Sequence, residues 1–218
     1  MGKSLAKMSK FLWQTFVTLL VIIDPFVVVP VFIALTKSDT HTQRKHIAKK
    51  TCIIAAVLLI FFALAGDSLL NALGISQPAF RIAGGFLLLL AGIEMVMAKS
   101  TGSRTPTNAE EREATHSDDI SVFPLAIPLI AGPGAMTSIV VLMREAEHVH
   151  TFAGLSVILI AVFVLLLTYM TMCLGEKLMK ILGVIGMNVL TRVFGVIVAA
   201  LATQHIVHGV TAVVKGMR

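Results

Sequence analysis

The sequence predicts an all-α membrane protein with six transmembrane helices, of which the first and the fourth are broken. Hydrophobic residues make up 56% of its 218 positions and charged residues only 14%, whereas about a quarter of the residues in a soluble domain are charged. Apolar stretches of about 20 residues, the length that crosses a bilayer, recur along the chain. The candidate spans are residues 11–36, 48–71, 78–98, 121–143, 152–174 and 188–210.

The first span is interrupted by Asp24-Pro25, with a further proline at Pro30. Proline removes a backbone donor and clashes with the preceding turn, and in hydrocarbon every freed backbone group needs a new partner. An intramembrane carboxylate is costly, which makes Asp24 a candidate for binding a cation, a substrate ammonium or a coupling proton. The alternative is a structural role, in which Asp24 caps a half-helix that begins at Pro25.

The fourth span is interrupted by Gly132-Pro133-Gly134, with Pro128 before it and Thr137 after it. The glycines allow a ligand to approach the backbone, and Pro133 suits the first turn of a new half-helix. Its first amides would present a positive dipole end to a carboxylate, and Thr137 would add a hydroxyl. The alternative is a proline kink that serves only helix packing. Together with the carboxylate of the first break, this pattern predicts a site for a small zwitterion with a modest apolar side chain.

The two halves of the chain are similar to each other in the same order. Residues 66–74 align with 175–183 without a gap at an offset of 109, and Asp24 aligns with Gly132 at an offset of 108. Three spans in each half reverse the second copy in the membrane. The sequence therefore predicts two inverted three-helix repeats, the arrangement in which paired helix breaks indicate a transporter's binding site.

A single transmembrane domain over residues 1–218 is predicted, with repeats at about 11–98 and 121–210 joined by a polar cytoplasmic linker at 99–120. Eleven lysines and arginines fall on the side of the linker and seven on the side of the two termini. The positive-inside rule places the first side in the cytoplasm and both termini outside, although three lysines ahead of the first span argue the other way.

Two arginines occupy matching positions in the third helix of each repeat, Arg81 and Arg192. Each is followed three residues later by a glycine that would allow close helix packing. We expect both side chains to reach the membrane interface, with help from Asp67 and Glu176, rather than to contact a ligand.

Glu94 and His205 also align, at the same offset as the two arginines. Glu94 lies near the end of its span, so an interfacial pair with Lys99 is favoured over a proton relay. His205 and His208 share a helix face but lack a third ligand. Neither a metal site nor a cofactor is predicted.

The sequence has no nucleophile elbow, no phosphate-binding loop, no HExxH and no glycine-rich dinucleotide turn, so an enzyme is the weaker hypothesis. The net charge of +6 comes from basic residues that flank apolar stretches, which does not indicate a nucleic-acid partner.

Four stretches resemble the MarC family of bacterial integral membrane proteins. They are Asp24-Pro25 with Pro30–Phe32, then Arg81–Gly85, Pro124–Gly134, and the region 188–209. The resemblance implies a six-span protein of the inner membrane, similar in some members to carriers of small neutral amino acids. The glycine that usually follows Asp-Pro in that family is absent here, where Phe26-Val27-Val28 adds bulk to the first break.

The function expected from these observations is secondary transport of small neutral amino acids or related metabolites by alternating access. Asp24 would bind the ammonium or a coupling proton, and the amides of Gly134 to Thr137 would bind the carboxylate. The alternatives are a channel or broad small-solute exporter and, third, a structural or lipid-modifying membrane protein. The expected partners are a small-molecule substrate and the lipid bilayer.

Overall fold

The computed structural model describes residues 2–97, 119–147, 149–150 and 152–216, and within these ranges the chain is helical and contains no strand. A segment with two internal prolines, Ser121–Ile130, precedes the fifth helix and is called here the proline segment. The helices are α1 Gly2–Ile23, α2 Pro25–Leu35, α3 His41–Ala72, α4 Gln77–Met97, α5 Pro133–Glu147, α6 Ala153–Cys173 and α7 Gly175–Gly216.

Five of the helical stretches are long and apolar enough to cross a membrane. They are Ala6–Leu35, His41–Ala72, Gln77–Met97, Ala153–Cys173 and Ile185–Gly216. The proline segment and α5 add a sixth if they are taken as one span, and they are bent by 55° at their junction. The prediction of a multi-pass helical membrane protein is confirmed. The predicted linker, apart from its last two residues, lies outside the described residues.

Two glycines with left-handed backbone mark the ends of helical segments at matching places in the two halves. Gly74 (φ 67°) follows α3, and Gly183 (φ 63°) interrupts α7 before its membrane-spanning part. A side chain is strained in this conformation, so glycine is the natural residue at both positions.

The helices α3 and α6 pack against each other in antiparallel directions. Cys52 Sγ, early in α3, lies 3.5 Å from the carbonyl oxygen of Leu165, late in α6. Arg44, in the first turn of α3, forms an ion pair with Glu176, which follows the end of α6. The beginning of α3 and the end of α6 therefore lie on the same side of the molecule.

The interface between α4 and α7 is the most extensive in the fold, and small residues make it close. A Cβ added at Gly92 would lie 2.9 Å from the amide nitrogen of Ala199, and one at Gly85 would lie 3.0 Å from the carbonyl oxygen of Ala202. Residues later in α4 contact residues earlier in α7, so this pair is also antiparallel. Membrane helices gain van der Waals contact in this way where small residues line the interface.

Gly84 and Gly195, the glycines that follow the two arginines, are closely packed as predicted, but against different helices. Gly195 lies on the α4–α7 interface, where an added Cβ would be 2.7 Å from Met95 Cβ. Gly84 faces α5 instead, and an added Cβ would overlap the side chain of Thr137. The helix α4 is thereby held between α7 and the half-helix that follows the second break.

Several further contacts connect each broken span with the other half of the chain, in addition to the packing of α5 on α6 within the second half. The helix α3 packs on the proline segment and α5, whereas α6 packs on α1 and α2. Likewise, α4 packs on α5, and α7 packs on α2. The two breaks are therefore enclosed by helices from both halves.

Candidate functional site

Asp24 forms the first break and is fully buried. Its backbone is left-handed (φ 46°, ψ 78°), a conformation that aspartate adopts more readily than most residues. Its Oδ1 accepts hydrogen bonds from the amides of Phe26 (3.2 Å) and Val27 (3.4 Å), so Asp24 is the N-cap of α2. The capping alternative predicted from the sequence is confirmed, with Pro25 in the first turn.

Side chains from α6 and α7 contact the residues that follow Asp24 at the first break. The ring of Phe26 packs edge-on against Phe194 of α7, with the ring centroids 5.8 Å apart. Thr171 of α6 donates a hydrogen bond to the carbonyl oxygen of Pro25 (3.2 Å). Pro30 lies inside α2 and is half-buried.

At the second break, the backbone leaves the helical conformation at two residues before the chain turns into α5. Phe123 and Ile127 have extended backbone angles inside the proline segment (φ −124° and −128°). Each precedes a proline, whose ring disfavours helical angles in the preceding residue. The amide of Ala131 donates to the carbonyl oxygen of Ala126 (2.8 Å), after which the chain turns by 55° into α5. The predicted break in the fourth span is confirmed.

A cavity of about 30 Å³ lies at the second break. The break itself contributes Pro128, Leu129, Ile130, Gly132, Pro133, Gly134 and Ala135, and the facing helices contribute Ile22, Leu87, Leu88 and Ala91. A cavity needs about 10–15 Å³ to hold a single water. The cavity therefore has room for two or three waters in this conformation, and an amino acid would require it to widen.

Two backbone amides at this cavity, those of Gly134 and Ala135, have no capping side chain. Gly132, which precedes α5, has none to offer, and its carbonyl oxygen accepts from the amide of Met136 (3.0 Å). Among the described residues, no group accepts a hydrogen bond from the amide of Gly134 or Ala135. Unpaired donors in an apolar surrounding favour an acceptor, and a helix N-terminus favours an anion.

Four predicted site residues line this cavity and four do not. Pro128, Gly132, Pro133 and Gly134 line it, whereas Asp24, Pro25, Pro30 and Thr137 are not among its lining residues. The hydroxyl of Thr137 donates to the carbonyl oxygen of Pro133 (2.9 Å) and lies one turn into α5.

Arg81 pairs with a different carboxylate from the one expected. Its Nη2 lies 2.5 Å from Glu145 Oε1. Asp67, the predicted partner, is 3.0 Å from Arg144 Nε instead. The prediction of Asp67 as partner was wrong because α5 ends beside α3 and brings its own arginine there.

Arg192 is exposed on α7. Its predicted partner Glu176 is paired with Arg44, whose Nε also donates to the carbonyl oxygen of Thr36 (2.8 Å). That prediction was wrong for a similar reason, since the antiparallel packing of α3 on α6 brings Arg44 to Glu176.

Glu94 is buried on α4 rather than placed at the interface. Its predicted partner Lys99 lies outside the described residues. His205 is half-buried on α7, and the neighbouring His208 contacts Gln204, with 2.6 Å between their Nε2 atoms. Within the described ranges, no group of three or more His, Cys, Asp or Glu side chains is arranged to hold a metal ion.

Sequence reasoning missed the apolar wall of the cavity. Ile22, Leu88 and Ala91 come from spans other than the fourth, and nothing distinguishes them from ordinary core residues in a sequence this apolar. The extended backbone at Phe123 and Ile127 did carry a signal, because both residues precede proline.

The fold and the site together define a multi-pass helical membrane protein with a proline-broken span around a small buried cavity. The chain belongs to the MarC family of integral membrane proteins, whose family model matches residues 9–214. The resemblance noted from the sequence is confirmed.

Relatives of similar length occur in distant organisms, and each is described only as a membrane protein. One from Methanocaldococcus jannaschii is 42% identical over 190 residues, which cover 87% of this chain and 90% of the relative. One from Aquifex aeolicus is 33% identical over 203 residues, covering 93% of each chain. YhcE of Escherichia coli is 32% identical over 210 residues, covering 94% of each chain. No solved structure matches the chain.

Proposed function

We propose that this protein is a secondary transporter of small neutral amino acids or closely related small metabolites. The substrate's carboxylate would bind the amides of Gly134 and Ala135 at the second break, and its small apolar side chain would lie against Ile22 and Leu88. Transport would proceed by alternating access, during which the cavity widens to admit the substrate and closes around it.

The observation that carries the proposal is a carboxylate already present at the equivalent place in the first break. At an offset of 108, Phe26 and Val27 align with Gly134 and Ala135. Asp24 Oδ1 accepts from the first two amides at 3.2 and 3.4 Å. Gly134 and Ala135 line a cavity, and their amides have no capping side chain. The first break therefore displays, with the protein's own carboxylate, the interaction that the second break offers to a ligand.

The proposed architecture is a pair of inverted three-helix repeats. Exchanged contacts between the halves support it: α3 packs on the broken span of the second half, and α6 packs on that of the first. The contacts of α4 with α5 and of α7 with α2 follow the same exchange. A pseudo-twofold axis in the membrane plane would produce this pattern.

Aligned glycines support the same relation. A Cβ added at Gly66, at the end of α3, would overlap the side chain of Val140 in α5. One added at Gly175, its counterpart at an offset of 109, would lie 3.2 Å from Val29 in α2. Each glycine thus allows close approach to the half-helix that follows the break of the other repeat.

Aligned carboxylates also exchange partners between the halves. Asp67 of the first half contacts Arg144 of the second, and Glu176 of the second half contacts Arg44 of the first. Exposed ion pairs add little stability. Their value here is as markers of the proposed symmetry, because they lie at opposite ends of α3.

Asp24 has a second role in the proposal, as the group that receives the substrate's ammonium or a coupling proton once the cavity opens. A buried intramembrane carboxylate is suited to either task. Its Oδ1 is bound to two amides in this conformation.

The proposed location is the inner membrane, with both termini periplasmic. The contact of Lys50 Nζ with Asp119 Oδ2 (2.5 Å) supports a shared side for the beginning of α3 and the entry to the proline segment. That side is the one richer in lysine and arginine, and the positive-inside rule favours the cytoplasm for it.

A carrier is favoured over the alternative of a channel or broad exporter because the cavity at the break is small and is bounded by residues of α1 and α4. The two mechanisms differ in kinetics. Carrier flux saturates with substrate concentration and shows counterflow, whereas flux through an open pore rises linearly.

The test is counterflow of radiolabelled alanine, serine and valine in proteoliposomes, with Gly134→Ala as the variant. An added Cβ would lie 2.6 Å from Leu88 Cδ2, the flexible end of a side chain, so the fold should adjust while the cavity loses volume. We expect the initial rate to fall at least about tenfold, as a misplaced substrate typically loses rate. Gly216→Ala is the matched control, because an added Cβ there meets nothing within 4 Å.

Two results would contradict the proposal. One is a Gly134→Ala protein that transports as fast as the wild type. The other is equal competition by alaninamide, which lacks the carboxylate that the two amides are proposed to bind.

A further inference from the structure

A groove of about 420 Å³ lies between α3 and α6, away from both breaks. It is lined by Lys49, Cys52, Ile53, Ala56, Val162, Leu165, Leu166 and Tyr169. Most of its wall is apolar, and Ile53, Val162 and Leu166 are exposed. An apolar groove on the outer surface of a membrane-spanning helix pair faces the acyl chains of the bilayer.

The groove has a polar end. Lys49 lies near the beginning of α3 and Tyr169 near the end of α6, and the antiparallel packing of the two helices brings both to the same end. Tyr169 is the only tyrosine in the chain. Lysine and tyrosine each combine an apolar body with a polar tip, which suits the boundary between acyl chains and headgroups.

The positive charge at this end is not neutralised within the described part of the chain. Lys50 is paired with Asp119, but Lys49 and Lys45 have no described carboxylate within 4.0 Å. Lys45 and Lys49 lie one helical turn apart and share a face of α3. Lys49 therefore stands uncompensated at the headgroup end of the groove, and Lys45 lies one turn before it, where it lines a separate pocket with Arg44 and Glu176.

The opposite end of the same helix pair lacks these features. At the offset of 109, Lys49 aligns with Ile158, and Tyr169 aligns with Ile60. The basic and aromatic end is thus confined to one side of the molecule, the side that carries the excess of lysine and arginine. A groove used only for nonspecific lipid packing would have no need of this asymmetry.

We propose that this groove is a binding site for an anionic phospholipid. One acyl chain would lie along Ala56 and Leu165, and the phosphate would lie between Lys45 and Lys49, with the Tyr169 hydroxyl at the headgroup boundary. Basic pockets between transmembrane helices bind anionic headgroups in this way. The inference is independent of the transport proposal, since the groove shares no residue with the cavity at the second break.

The test is lipid binding to the delipidated full-length protein in detergent, measured by native mass spectrometry. Dioleoylphosphatidylglycerol is compared with dioleoylphosphatidylcholine, which has the same chains, and with glycerol 1-phosphate, which has the anion without chains. The variants are Lys49→Gln, the double variant Lys45→Gln with Lys49→Gln, and Ala56→Leu, which narrows the groove and keeps the charge. Lys180→Gln is the control, because Lys180 is exposed outside the groove.

We expect phosphatidylglycerol to bind more tightly than phosphatidylcholine, and glycerol 1-phosphate not to compete. Each lysine near a lipid surface is worth about a fivefold change in affinity, so the double variant should bind roughly 30-fold more weakly. Ala56→Leu should also weaken binding, and Lys180→Gln should not.

The proposal is overturned if the two lipids bind equally to the wild type, or if the double variant keeps the wild-type preference. Effective competition by glycerol 1-phosphate would also overturn it, by showing a plain anion site in place of a lipid site. The lysine variants are exposed and should fold, so these outcomes do not depend on Ala56→Leu.

Discussion

The two breaks place different groups on the first amides of the half-helix that follows. At the first break, Asp24 carries a carboxylate that accepts from the two amides of α2, and Phe26 fills the adjoining space against Phe194. At the second, Gly132 has no side chain, Gly134 stands where Phe26 stands in the first, and a cavity remains. The first break is capped by its own aspartate, and we propose that the second is capped by a ligand.

If the proposed repeat and site are correct, this difference would explain how a repeated architecture yields a single site. Both breaks create the same problem, since a helix that begins inside the membrane has amides that need an acceptor. At the first break, Asp24 is a permanent acceptor for these amides. On the proposed function, the second break would solve it only when a ligand supplies the acceptor, which would couple occupancy of the site to the stability of the surrounding helices.

The largest effect is expected from removing the internal carboxylate. Asp24→Ala would leave two partly buried amides without an acceptor, and we expect it to lower the free energy of unfolding by about 2–4 kcal/mol. Asp24→Asn keeps a capping oxygen and should lose about 1 kcal/mol or less. Thermal unfolding in detergent measures both, and an Asp24→Ala protein as stable as the wild type would show that capping contributes nothing.

A smaller loss is expected from opening the first break. Phe26→Ala removes a half-buried ring and its contact with Phe194, which should lower the free energy of unfolding by about 1–3 kcal/mol. Phe86→Ala is the control, because Phe86 is 54% exposed on α4. Counterflow should persist in Phe26→Ala if the site lies at the second break. Loss of counterflow in a Phe26→Ala protein that remains folded would indicate that the site lies at the first break.

The smallest effect concerns the ion pair at the entry to the proline segment. Hydrogen bonding to Lys50 lowers the pKa of Asp119 below its usual value of 3.8. A lowered pKa in the folded state means that the contact stabilises the protein above about pH 3.8 and that this stabilisation is lost as the pH falls through the folded-state value.

The melting temperature of Lys50→Gln should therefore lie slightly below that of the wild type at pH 7, and the gap should shrink in acid. The effect is small because the pair is exposed to solvent. Lys180→Gln, which changes an exposed lysine elsewhere, should show no such pH dependence. A gap for Lys50→Gln that grows as the pH falls would contradict this account.

The sequence was sufficient to predict the spans and the breaks because both depend on local chemistry. Long apolar stretches crossed by proline required helices with interruptions, and the Asp-Pro pair predicted a cap that the structure contains. The sequence was not sufficient to predict ion pairs between residues that are distant along the chain. Asp67 and Glu176 were given the wrong arginines because the correct ones, Arg144 and Arg44, approach only through helix packing.

The cavity itself was only partly predictable. Gly132 and Gly134 marked a place of close backbone approach, and both line it. Thr137 was expected to join them, but its hydroxyl is bonded to the carbonyl of Pro133, a local contact that competes with any ligand. The apolar wall formed by α1 and α4 depends on tertiary packing and left no mark in the local sequence.

The most direct test of the central claim is NMR of the ¹⁵N-labelled protein in nanodiscs, following the amide resonances of both breaks during titration with alanine. We expect the amides of Gly134 and Ala135 to shift downfield as a carboxylate binds, those of Phe26 and Val27 to shift less because Asp24 remains their acceptor, and alaninamide to leave Gly134 and Ala135 in place. Equal shifts with alanine and alaninamide, or shifts confined to Phe26 and Val27, would contradict it.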